Sequence, residues 1–198
     1  GHQRWARFSG VATEWDFVEA PSQIFEEWAR DHGVLKEFAR NPAGEVLPVE
    51  LVRKMLDADD FGRALWVRQQ MFYAGMSLHM HDRDPKGLDG DAVVAQMTER
   101  YSPWPLVPGT HMQASFGHLE GYSAIYYTYM WSLVIAKDMF SRFQREGILN
   151  PEVGRAFRDR ILARGDADDA MTLFVDFMGR PPSLDALFER SGLASVSA

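Results

Sequence analysis

Apolar residues recur at helical spacing along most of this chain. Leu47, Val49, Leu51, Val52, Met55 and Leu56 follow the 3.6-residue period, and Phe61, Leu65, Trp66 and Met71 extend it. The pattern predicts a long helix over residues 61–80, rich in Ala, Met, Leu and Gln, with Gly75 tolerated inside it at about 1 kcal/mol. A second helix is expected over residues 91–101, with Asp91 as its cap. Residues 102–110 hold Pro103, Pro105 and Pro108 and must form a loop, because closely spaced prolines cannot continue a helix. Residues 122–146 are apolar on most sides, which predicts a long buried helix. Asn150 and Pro151 supply a cap and a first-turn proline for the next one. Shorter helices are expected over residues 168–177 and 183–191, the last ended by Gly192. Alternation is absent and β-branched residues are few, so no strand is expected. The fold class is all-α, a multi-helix lobe read as a single helical domain over residues 1–198.

Composition narrows the function classes. Of 198 residues, 46% are apolar and 25% charged, enough to bury a sizeable core. The net charge of −7 argues against a nucleic-acid partner, which would call for clustered Lys and Arg. No apolar run approaches the roughly 18–20 residues of a membrane helix, so no membrane partner is expected. The chain has no Cys, which excludes disulfides and thiolate metal sites and fits a reducing, cytoplasmic setting.

Two segments carry candidate chemistry. In the first, Trp15, Val18, Phe25 and Trp28 would share one side of a helix, bordered by Glu14, Glu19, Gln23 and Glu26. Pro21 inside such a helix should kink it near Phe17. Solvated helix carboxylates are common, so spacing alone leaves Glu19 between a surface acid and a metal ligand. In the second, Tyr122, Tyr126 and Tyr129 are spaced four and three apart, which aligns their hydroxyls on one helix face. An aromatic stripe of this kind is more often core than site, yet buried phenols need partners. Gly117 and Gly121 bracket His118 in what reads as a flexible loop. His79 and His81 point about 200° apart on a helix and read as a helix-end pair near Asp82 and Asp84. His2, His32 and His111 are read as structural.

The segments Phe17-Val18-Glu19-Ala20-Pro21-Ser22-Gln23 and His118-Leu119-Glu120-Gly121-Tyr122, continuing to Trp131, together resemble the zinc oligopeptidases of the thimet oligopeptidase, oligopeptidase A and peptidyl-dipeptidase group. The tail segments 147–152 and 177–187 resemble the same family, so the likeness runs from Phe8 to Leu193. It implies that Glu19 is the third ligand of a two-His, one-Glu zinc site and that Glu14 orients a ligand histidine. It also implies that His118, Tyr122, Tyr126 and Tyr129 face the scissile carbonyl and the water that attacks it, where a donor contributes about 3–4 kcal/mol. In many family members the step from this histidine to the glycine-tyrosine pair is one residue longer. The family's H-E-x-x-H helix, with two His ligands and the general-base Glu, does not occur in these 198 residues.

The resemblance therefore implies the carboxy-terminal part of a peptidase that hydrolyses short peptides, cut just after its metal helix. Zinc belongs to the intact enzyme, and none is expected at Glu19 in this chain, which is expected to be inactive alone. The expected partners are short peptides and the missing amino-terminal part, with self-association possible through an apolar face left uncovered. The alternative is a non-catalytic module that keeps one wall of the channel and binds peptides or a protein. A hydrolase built on His79, His81 and His118 would need distant histidines to converge.

Overall fold

The computed structural model describes residues 1–190, and the expected stop at Gly192 lies outside them. The described residues are helical with no strand, apart from one isolated bridge between Arg40 and Val46. The all-α expectation is met. Two compact units emerge, one of Gly1–Phe61 with the chain from Trp131 onward, the other of Gly62–Met130.

The first unit contains α1 (Ala20–Phe25), α2 (His32–Phe38) and α3 (Val49–Asp60). It also holds most of α7 (Thr128–Glu146), then α8 (Pro151–Phe157), α9 (Ala170–Met178) and α10 (Asp185–Arg190). A π-helical turn over Arg158–Leu162 prolongs α8, with the Ala163 N–H donating to Arg158 O at 2.7 Å. The core packs Phe17, Ala20 and Ile24 against Met139, Phe140 and Phe143 of α7, and against Phe157, Phe174 and Phe177. Trp28 seals it, edge-on to Phe143 at 4.8 Å, while its indole N–H donates to Ile148 O at 3.0 Å. Two buried charges of this unit are paired. Lys137 meets Glu27 across the core, and Asp138 of α7, only 1% exposed, accepts from Arg180 and from the Ser183 N–H.

The second unit contains α4 (Arg63–His81), α5 (Gly90–Tyr101) and α6 (His118–Gly121). Phe72 and Met76 of α4 pack on Val93, Val94 and Met97 of α5. Gly75 is more than a tolerated residue: a Cβ there would stand 2.7 Å from Met97 Sδ, so its absence lets α4 and α5 approach. Residues 102–110 form no helix, as their prolines require.

Several sequence expectations are corrected. Pro21 does not kink a helix: α1 begins at Ala20 and Pro21 occupies its first turn, where its missing N–H costs nothing. The buried side of this segment carries Phe17, Ala20 and Ile24, while Trp15 and Phe25 are exposed. The cap of α5 is Asp89, whose carboxylate accepts the Ala92 N–H at 3.1 Å. Asp91 instead accepts from His111 at 2.9 Å. The long helix begins at Thr128, not at Tyr122, because Ser123 sits at φ +45° and the chain runs through successive turns before it. His118 lies in the short helical turn α6, not in an open loop. At the other end of α4, Gly62 at φ +74° separates it from α3, and Phe61 is left 92% exposed instead of opening the helix.

Candidate active site

Each unit holds candidate residues of its own. In the first, the segment before α1 is pinned to α7 by Ser132, whose buried hydroxyl donates to Asp16 O at 2.8 Å. Two turns then carry the chain into α1, with the Phe17 and Val18 N–H groups donating to Glu14 O at 2.9 and 3.0 Å. Glu19 is half-buried at the entry to α1, and Ser22 Oγ donates to its backbone carbonyl at 2.9 Å and approaches Oε2 at 3.3 Å. Glu14 is engaged locally. Its Oε1 accepts the Ala170 N–H at 3.0 Å, at the start of α9, and its Oε2 accepts from Thr13 at 3.0 Å. A carboxylate at a helix N-terminus is favoured by the helix dipole, which accounts for this placement. Beside it opens a cavity of about 180 Å³ lined by Glu14, Asp16, Trp131, Asp169 and Met171, with Trp131 52% exposed.

In the second unit, the four residues singled out in the sequence converge as rings. His118 lies 5.6 Å from Tyr122, 5.2 Å from Tyr126 and 5.6 Å from Tyr129, centroid to centroid. Tyr129 in turn lies 5.1 Å from Tyr122 and 4.9 Å from Tyr126. They do not form one helix stripe. Tyr122 and Tyr126 stand on the turns before α7 and Tyr129 on its first turn, so the left-handed Ser123 brings the rings together. Phe116 closes the cluster, 5.0 Å from His118 and stacked on Tyr73 at 4.9 Å.

The three tyrosines are not equivalent. Tyr122 and Tyr129 are half-buried, whereas Tyr126 is 8% exposed and its hydroxyl donates to Gln70 Oε1 at 3.2 Å. Burial, with smaller contributions from Tyr73 and Tyr129, pushes the Tyr126 phenol up to about 12. The unfolded phenol ionises near pH 10 and the native one at about 12, so between them the native state keeps a proton the unfolded chain has lost. Stability is complete below pH 10 and should fall across that window by about 2–3 kcal/mol. Tyr126→Phe should flatten this loss in denaturation series at alkaline pH and remove a phenolate absorbance step near pH 12. An unchanged step in that variant would contradict the assignment.

Sequence reasoning missed Gln70, Tyr73 and Ser77, which α4 presents to this cluster. Their spacing of three and four places them on one helix face, a signal obscured by the apolar residues around them. His79 and His81 join no site: His79 lies 3.2 Å from Asp82, and His81 Nδ1 bonds Ser77 O at 2.8 Å. Among the described residues no three His, Cys, Asp or Glu side chains gather to hold a metal. Glu19 is one carboxylate, so the donors present here do not fit a complete zinc site.

Comparison with known proteins agrees with the motifs. The pattern of peptidase family M3 matches residues 1–193. The chain is 37% identical over 194 residues to oligopeptidase A of Escherichia coli (strain K12), covering 95% of this chain and 28% of that protein. It is 34% identical over 197 residues to the organellar oligopeptidase A, chloroplastic/mitochondrial, of Arabidopsis thaliana, covering 93% and 24%. It is 32% identical over 197 residues to the dipeptidyl carboxypeptidase of Salmonella typhimurium, covering 96% and 29%. The chain thus spans about a quarter of the length of the curated relatives it matches. With both motif clusters inside the matched region, the chain belongs to peptidase family M3.

Proposed function

We propose that this chain is the carboxy-terminal part of the catalytic region of a zinc-dependent peptidase that hydrolyses short peptides. The observation that carries the reading is the convergence of His118, Tyr122, Tyr126 and Tyr129, with centroids 4.9–5.6 Å apart. Donors held in a mostly apolar surround suit a peptide carbonyl, whose oxygen gains charge as its carbon is attacked. On this reading Tyr122 and Tyr129 donate to that oxygen, His118 holds them in place and contacts the peptide, and Tyr126 anchors the group through Gln70. Glu19 is the one zinc ligand the chain supplies, and Glu14 orients a ligand histidine outside it. Because the two His ligands and the general-base Glu are not among these residues, the chain is inactive by itself. Its setting is cytoplasmic.

The exposed Trp131 and Met171 beside the Glu14 cavity support an interface with the amino-terminal part, or with a second copy in its absence. The same surface, taken without any metal, supports the alternative of a peptide-binding module.

Zinc retention after dialysis tests the reading. The chain alone should retain none at Glu19, whereas a mixture with the amino-terminal part should retain about one equivalent, as a complete ligand set allows. Glu19→Ala should lower that retention. Equal retention with and without Glu19 would overturn its assignment as a ligand.

A further inference from the structure

Ser77 is 1% exposed, near the C-terminal end of α4, and a buried hydroxyl is costly unless it is bonded. This one is bonded twice: Oγ donates to Ser123 O and accepts the Tyr126 N–H at 3.3 Å. Its two partners flank the tightest part of the turn that joins Tyr122 to Tyr126. Ser123 is the one non-glycine residue at positive φ among the described residues, a conformation L-residues adopt only when their surroundings hold them in it. Released from Ser77, Ser123 would relax to a right-handed or extended conformation and swing Tyr122 away from Tyr129. Gln70 grips the Tyr126 hydroxyl from the same face of α4, so main chain and side chain of Tyr126 are both held by that helix. Ser77 is itself fixed, since His81 Nδ1–H donates to its carbonyl at 2.8 Å.

We propose that Ser77 is a positioning residue for the tyrosine cluster, clamping the strained turn at Ser123 so that Tyr122, Tyr126 and Tyr129 meet around His118. The catalytic meaning of this clamp rests on the peptidase reading above; the clamp itself does not. Ser77 touches no reacting group and acts only through the turn.

The test uses Ser77→Ala in the full chain, with Ser77→Cys as a second variant that keeps the unbranched side chain but leaves only a weak donor. Ser77→Thr, which restores a hydroxyl, is the rescue. Alkaline titration followed by phenolate absorbance should show the Tyr126 step falling from about pH 12 toward pH 10 in the Ala and Cys variants and returning in Thr. A residue that only adds stability would lower the melting temperature without moving this step. Mixed with the amino-terminal part, Ser77→Ala should also lose about tenfold in kcat with little change in KM, since small misplacements of catalytic donors are costly. A step that stays near pH 12 in folded Ser77→Ala or Ser77→Cys overturns the proposal. A shifted step, with no hydrolysis by the wild-type mixture, supports the clamp and overturns the peptidase reading.

Discussion

Arg180→Leu is expected to cost about 3 kcal/mol in folding stability. Asp138 is 1% exposed on α7, and Arg180 approaches it with two guanidinium nitrogens, one at 2.8 Å from Oδ2. Removing the arginine leaves a buried carboxylate with the Ser183 N–H, at 2.6 Å, and no cation. The cost falls at the lower end for such pairs because the Arg180 side chain is 42% exposed and water can reach part of the gap. The double variant Asp138→Leu with Arg180→Leu should recover most of the loss, since two apolar groups leave no charge to solvate. Urea denaturation of both variants measures this. A double variant as unstable as the single one would show that the pair's geometry, not its charge, holds the segment after α9.

Tyr129→Phe is expected to lower kcat about 100-fold or more in the chain combined with its amino-terminal part, with KM nearly unchanged. The substitution keeps the ring that packs between Tyr122 and Tyr126, at 5.1 and 4.9 Å, and removes only the hydroxyl. A donor that matters only as charge develops on the carbonyl oxygen should act on kcat alone. A rise in KM at constant kcat would instead place Tyr129 in ordinary substrate binding.

Much of the fold is legible in the sequence. Helical periodicity marks the helices that became α4, α5 and α7, the last with too early a start, and the Asn150-Pro151 signal places the start of α8. Both motif clusters were visible as residues at fixed spacing. The failures have local causes. Pro21 reads as a kink only if one continuous helix runs through Phe17, whereas the chain turns twice there before entering α1. Residues 122–146 read as one helix because apolar periodicity does not reveal a single residue at positive φ, and Ser123 is not a glycine that would announce one. Asp91 has the residue type of a cap, but its carboxylate is engaged by His111 while Asp89, two residues earlier, accepts the Ala92 N–H. Helical spacing predicts that the tyrosines meet along one helix face; the rings do meet, but through the turn at Ser123 that precedes α7. The shared face of Gln70 and Ser77 is obscured in the sequence by the apolar residues around it, and their partners lie some fifty residues away.

Hydrolysis of a quenched fluorescent peptide with added zinc, by the chain alone and by the chain mixed with the amino-terminal part, tests the central claim most directly. The account predicts silence from the chain alone and activity in the mixture. Activity from the chain alone would contradict it, because Glu19 and the His118 cluster would then suffice without H-E-x-x-H. Silence in both, with peptide still bound, would also contradict it and leave the binding module as the function.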